Sequence, residues 1–134
     1  MERRILVVDD EEDILIVIRM LLEEDGMKVF TAANSKDALE MFAIVKPQVV
    51  LSDLNLGPGM DGLTLCGKIR TEVPKTVTIA MSGYMTAYDI SYCLGSGMFN
   101  DAIAKPWNNK LLIQILNEWF KKRERWDTVN GIMS

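Results

Sequence analysis

Gln48-Val49-Val50-Leu51-Ser52-Asp53 reads as a strand covered on both faces. Its centre, Val49-Val50-Leu51, is apolar without alternation and too short for a helix, and the stretch is entered from Pro47 and left through the turn-forming Leu56-Gly57-Pro58-Gly59. Strands of that kind belong to parallel sheets flanked by helices. Three other short runs share its character: Ile5-Leu6-Val7-Val8, Val77-Thr78-Ile79-Ala80-Met81 and Ala102-Ile103-Ala104. They end in Asp9-Asp10, in Ser82 and in Lys105-Pro106, respectively. If the four runs are parallel strands, three carboxylates, a hydroxyl and an ammonium group meet at one edge of one sheet.

Outward from these runs, β-type segments alternate with helical ones, the mark of an α/β fold with a parallel sheet. Strands are expected at about 4–9, 27–31, 48–53, 76–81 and 101–104. A first helix is expected from an Asp10 cap to about Glu24, packing through Ile14, Val17, Ile18, Leu21 and Leu22. A second runs from a Ser35 cap to just before Pro47, with Ala38, Leu39, Phe42 and Val45 inward. The third starts at Asp61 and packs through Leu63, Leu65, Cys66 and Ile69, and the fourth covers about 86–94. Asn108 caps the last, whose stripe is Leu112, Ile115, Leu116, Trp119 and Phe120. The charged run Lys121-Lys122-Arg123-Glu124-Arg125 then reads as a fraying helix end. Residues 1–122 form the expected domain, and 123–134 a C-terminal tail or truncated linker.

The 134 residues suffice for one domain with a proper core. A net charge of −4 argues against direct contact with nucleic acid. No apolar run approaches the ~20 residues of a membrane span. The short apolar stretch after Met1-Glu2-Arg3-Arg4 turns acidic at once, unlike a signal peptide, so a cytoplasmic location is expected. Cys66 and Cys93 show no metal-ligand spacing and read as two buried, reduced thiols. The chain has no histidine, which rules out a Ser-His-Asp triad and a histidine-ligated zinc site within it. Any phosphoryl group arriving from histidine must come from another protein.

In an open parallel sheet, ligands bind outside the carboxyl ends of the strands, where strand order reverses. Asp9, Asp10, Asp53, Ser82 and Lys105 all fall at such ends. Three carboxylates packed there would repel one another and raise their pKa values. A hard divalent cation relieves that repulsion, and Mg²⁺ favours carboxylates, waters and a phosphate oxygen. Three negative charges then balance one divalent cation and one lysine. The set suits acceptance of a phosphoryl group on Asp53, held by Lys105 and the Ser82 hydroxyl, with Gly83 leaving room for its oxygens.

With these motifs the chain resembles the receiver domains of two-component response regulators. The resemblance spans about Arg4 to Lys122 and rests on Asp9-Asp10, Ser52-Asp53-Leu54-Asn55, Met60-Asp61-Gly62, Met81-Ser82-Gly83 and Lys105-Pro106, in this order and spacing. It implies a flavodoxin-like, doubly wound fold: a five-stranded parallel sheet in the order 2-1-3-4-5 with helices on both faces. It implies Asp53 as phosphoacceptor and Mg²⁺ ligand, Asp10 as a direct ligand, Asp9 as a water-mediated one and the Asn55 carbonyl as a further ligand. Ser82 and Lys105 would contact the phosphoryl group. The donor would be a sensor histidine kinase or a histidine phosphotransfer protein, and a downstream protein would read the changed surface. Such a chain catalyses only its own phosphotransfer and dephosphorylation. It would be a single-domain regulator or the receiver part of a longer one.

The chain departs from the family pattern at three points. Family members often carry Tyr or Phe three residues before the lysine, where this chain has Ala102. The loop after Asp53 is one residue longer than the commonest version. Trp107 resembles the Lys-Pro-Trp variant of receivers joined to cyclic-dinucleotide phosphodiesterase domains.

Plainer roles stand beside these. Asp9 and Asp10 could cap the first helix, and Ser82 and Lys105 could be ordinary turn and surface residues. Asn55 could face the pocket or serve the turn, and Tyr84 could gate water or cover a helix start. Asp61 reads as an N-cap. Tyr88, Tyr92 and Trp107 could form a homodimer surface along the fourth helix, fifth strand and fifth helix, or simply pack. Three rival functions remain: a degenerate receiver acting as a phosphorylation-independent binding or dimerisation module, a haloacid dehalogenase-type phosphatase, and a flavodoxin-like electron carrier. The second would want an aspartate where Asn55 stands, and the acidic first loop would repel the flavin phosphate of the third.

Overall fold

The computed structural model of the chain describes residues 2–83 and 86–131, with 87 and 88 through their backbone alone. Five strands, β1 (Arg4–Val8), β2 (Lys28–Ala32), β3 (Val49–Asp53), β4 (Val77–Ser82) and β5 (Asp101–Ala104), alternate with five helices. The helices are α1 (Glu12–Glu24), α2 (Ser35–Val45), α3 (Gly62–Glu72), α4 (Ala87–Gly95) and α5 (Asn109–Val129). All strand pairings are parallel and the order is β2-β1-β3-β4-β5, the order expected from the sequence.

The unbroken apolar strands follow from two helical layers. Alternate residues of a strand face opposite sides of the sheet. Ile5, Val7, Val49, Leu51, Ile79 and Met81 meet Leu15, Ile18 and Leu22 of α1 and Leu112, Leu116 and Phe120 of α5. Leu6, Val8, Val50 and Ala80 meet Ala38 and Phe42 of α2, Leu65, Cys66 and Ile69 of α3, and Cys93 of α4. Both thiols are free and buried, and burial pushes that of Cys66 up to about 12.

The helix caps differ in part from the sequence reading. Asp61, Thr86 and Asn108 accept from the amides of Thr64, Asp89 and Leu111, as N-caps do. For α2 the cap is Asn34, whose side chain accepts from Asp37 N, and not Ser35, which is buried as the first helical residue. For α1 the cap is Glu11, without a side-chain bond, and not Asp10. The Glu11 amide donates instead to Asp9 Oδ1 at 2.9 Å.

The largest correction concerns the C-terminus. The expected fraying after Phe120 does not occur, and α5 continues to Val129. Its last turns are docked by charge. Arg123 and Asp127 are both buried, and Arg123 Nε donates to Asp127 Oδ1 at 3.1 Å. Arg123 Nη1 reaches the carbonyls of Gln48 and Lys75, at the starts of β3 and β4, at 3.4 Å each. From β1's approach, Arg3 donates to Glu124 at 2.9 Å and to Asn117 at 2.9 Å, and lies over the Phe120 ring. The charged run is therefore an attachment of the helix, and only part of it is solvated.

Candidate active site

Strand order reverses between β1 and β3, so the ends of these two strands open onto the switch-point crevice. Asp9 follows β1, Asp53 closes β3, Ser82 closes β4 and Lys105 follows β5. The Lys105 amide donates to Ser82 O at 2.9 Å, which carries the β4–β5 pairing one step further and fixes where the lysine leaves the sheet. Its ammonium group then crosses to both buried carboxylates: 2.7 Å to Asp9 Oδ2 and 2.9 Å to Asp53 Oδ2. The remaining oxygens of the two carboxylates are held locally. Asp9 Oδ1 accepts from Glu11 N, and Asp53 Oδ1 accepts from Asn55 N at 3.1 Å.

Asp10 is exposed, and a carboxylate oxygen from each of Asp9, Asp10 and Asp53 falls within 4.8 Å of the others. Three carboxylates and one ammonium group sum to −2, which a hard divalent cation cancels; this donor set fits Mg²⁺. Asp10, Asp53 and Asn55 line one open cavity of about 760 Å³ together with Ser82, Lys105 and Trp107. Asp9 is fully enclosed beneath them. The structure therefore brings every site residue expected from the sequence to one place.

The electrostatics refine the expectation of mutual repulsion. Burial pushes the Asp9 carboxyl above its ordinary range, against the lowering pull of Lys105 and the Glu11 amide, and the Asp53 charge adds the smallest contribution. Lys105 is raised: burial lowers it, but the hydrogen bonds to Asp9 and Asp53 prevail. A simple ion pair would lower its acid as it raises its base. Here the completely enclosed partner bears the desolvation, and the lysine keeps some solvent. A carboxyl raised on folding contributes stability that is full below its unfolded pKa and lost as pH rises through the folded one. Ionised Asp9 thus weakens the metal-free fold at neutral pH. Asp9→Asn should be more stable than the parent at pH 7 in EDTA, with the difference vanishing toward pH 3; urea denaturation at both pH values checks this.

Gly62 has a steric reason to be glycine. A Cβ there would overlap the Asp53 carbonyl oxygen and lie 3.0 Å from Leu54 Cα, so the start of α3 is in contact with the end of β3. Gly62 N also donates to Leu54 O at 3.0 Å. Gly83 is different: a Cβ there would meet nothing within 4 Å, so the space beside it does not require glycine. Ala102 is partly buried and packs against the core on the α2–α4 side, and no ring stands at this position. Trp107 lines the cavity and donates to Asn109 Oδ1 at 3.0 Å. Glu11 and Asn109 also line the cavity and carry no sequence signal of their own. Tyr92 is exposed, whereas Tyr84 and the Tyr88 side chain lie outside the described residues.

Among the described residues no helix is long and apolar enough to cross a membrane. The chain is similar to known proteins over most of its length. It is 38% identical over 118 residues to an uncharacterized 14.6 kDa protein encoded in the sodA1 3′ region of Leptolyngbya boryana, covering 86% of this chain and 88% of that one. It is 32% identical over 105 residues to the regulatory protein AtoC of Escherichia coli K12, covering 78% of this chain but only 22% of AtoC. Among solved structures, the signal receiver domain of an HD domain-containing protein from Pseudomonas fluorescens Pf-5 superposes with a TM-score of 0.86 at 27% identity, covering 95% of this chain and 93% of that one. The family model of the response regulator receiver domain matches residues 5–117, which contain β3, all of β1 but its first residue, and every residue that meets at Lys105. With its sheet order, its acidic crevice and this match, the chain belongs to the response regulator receiver domain family.

Proposed function

We propose that this domain is a phosphoryl-accepting signalling switch of the cytoplasm, with Asp53 as acceptor. The observation that carries the reading is Lys105, whose Nζ lies 2.9 Å from Asp53 Oδ2 inside an open crevice of three carboxylates. A carboxylate oxygen of Asp53 attacks the phosphorus of a phosphohistidine in line. The P–N bond breaks, its electron pair stays on the donor imidazole, and an acyl phosphate is left on Asp53. This chain has no histidine, so the phosphohistidine lies outside it, on a sensor histidine kinase or a histidine phosphotransfer protein.

Asp10, Asp53 and the Asn55 carbonyl would hold Mg²⁺ directly, and Asp9 through water; the ion supplies charge neutralisation for the carboxylates and the phosphoryl oxygens. Lys105 moves its bond from the Asp53 carboxylate to a phosphoryl oxygen, and the Ser82 hydroxyl meets another. The rearranged Lys105 and Ser82 bias a two-state equilibrium of the adjoining surface, which a downstream protein or a second copy reads. The domain turns over only its own phosphoryl group and forms no external product.

Intact mass after incubation with acetyl phosphate and Mg²⁺ tests the reading. The parent should gain one phosphoryl group, and Asp53→Asn and the EDTA-treated parent should gain none. Absence of the adduct in the parent under every metal condition would favour the degenerate binding module, for which Ala102 is the supporting feature.

A further inference from the structure

A second cavity, of about 280 Å³, lies at the opposite end of the sheet from Asp53, where β1 and β3 begin and α2 and α3 end. Its apolar wall is Phe42, Pro47 and Val73, and its cationic side is Arg4, Lys46, Lys75 and Arg123. Among the described residues, the one carboxylate lining it is Glu72. Asp127 sits behind Arg123 and offsets one further charge, and Glu2 is divided between Arg4 and Lys28 at 3.6 and 3.7 Å. Positive charge therefore gathers around an apolar recess in a chain whose net charge is −4.

Arg4 donates to the carbonyls of Val45 and Lys46 at 3.1 and 2.9 Å, and Lys75 faces Asp127 at 4.0 Å, but two other cations are held less firmly. Arg123 Nη1 reaches its two carbonyls at 3.4 Å, long for an N–H···O bond, and Lys46 is exposed at the C-cap of α2. The volume lies just below the ~300–1,000 Å³ of ligand pockets, enough for one ring and too little for a nucleotide. An inorganic ion alone would leave the apolar wall uncovered.

We propose that this cavity binds a small organic anion of the aromatic carboxylate class. The ring lies on Phe42, Pro47 and Val73, and the carboxylate lies among Lys46, Lys75 and Arg123. The site joins the ends of α2 and α3 to Arg123 on α5, so its occupancy ties three helices together. It is independent of phosphoryl acceptance at Asp53.

The test is an amide NMR titration of the full chain with three probes: benzoate, its neutral isostere benzamide, and inorganic phosphate. Benzoate should give saturable shifts at Lys46, Gln48, Val73, Lys75 and Arg123. Benzamide should bind at least about tenfold more weakly, equivalent to ~1.4 kcal/mol, and phosphate should not saturate. Lys46→Gly removes a cation at a position whose φ of 51° suits glycine, so the fold is kept and benzoate affinity should fall a few-fold. Ala43→Trp, on the exposed side of α2, should fill the cavity and abolish the shifts. The proposal fails if benzoate shows no saturation at tens of millimolar, if benzamide binds equally well, or if the shifts persist in a folded Ala43→Trp variant.

Discussion

Lys105→Ala should slow the loading of Asp53 by acetyl phosphate about 100- to 1,000-fold, the usual consequence of removing one preorganised donor from a developing anion. The same substitution should tighten Mg²⁺ binding. In the resting domain the ammonium group holds one oxygen of Asp9 at 2.7 Å and one of Asp53 at 2.9 Å, so it competes with a cation for the same carboxylates. Removing it leaves three carboxylates with no internal counter-charge and raises the field that attracts a divalent ion. The two effects run in opposite directions, and that distinguishes them from a damaged fold, which would weaken both. Loading rates by mass spectrometry and Mg²⁺ titrations followed by tryptophan fluorescence, through Trp107 in the same cavity, measure them separately. An unchanged loading rate would remove Lys105 from the chemistry. Weaker Mg²⁺ binding in a folded variant would mean that the lysine positions the carboxylates more than it competes for them.

Asp127→Ala should destabilise the domain by about 3–5 kcal/mol, the penalty for leaving a buried charge without its partner. The Asp127 side chain is 4% exposed and that of Arg123 is 9%, so neither has water to fall back on. Lys75 also faces Asp127, at 4.0 Å, so the substitution leaves two neighbouring cations without their carboxylate. Against a total stability of about 5–15 kcal/mol for a domain of this kind, the loss is large. Arg123→Met combined with Asp127→Leu should recover most of it, because a well-packed apolar pair avoids desolvating either charge. Urea denaturation of the two variants decides between attachment and ornament. A loss below ~1 kcal/mol for Asp127→Ala, the range of an exposed ion pair, would mean that the last turns of α5 undock before the domain unfolds.

These two positions mark the limit of what the sequence discloses. The strands were legible because residues such as Val49, Val50 and Leu51 face opposite helical layers and must all be apolar. The strand order followed from the family resemblance. The crevice was legible because Asp9, Asp53, Ser82 and Lys105 each sit at the last turn of pattern before a loop. What could not be read was that one lysine spans two carboxylates, since its partners lie 96 and 52 residues away.

The caps were misplaced where two suitable residues adjoin. Asn34 and Ser35 both suit an N-cap, and only the extended backbone at Asn34, with φ −153°, separates them. Asp10 has the residue type of a cap, but the neighbouring Asp9 takes the Glu11 amide. The end of α5 was hidden by composition, because a lysine- and arginine-rich run is usually solvent-facing. The available signal was the spacing of four between Arg123 and Asp127, which continues the inward stripe of Leu112, Leu116 and Phe120 without a break.

The longer loop after Asp53 acquires a meaning from its two fastenings. At one end Asn55 N is bonded to Asp53 Oδ1, and at the other Gly62 N is bonded to Leu54 O. Between them, Gly57 and Gly59 turn at φ of 75° and 105°, in the left-handed region that side chains avoid. A residue gained or lost between these fastenings should be taken up by the glycine turns, with the Asp53 carboxylate left in place. Insertion and deletion are thus confined to a stretch that borders the crevice while leaving its chemistry alone. The rim of the crevice is built to tolerate change that the acceptor beneath it is not.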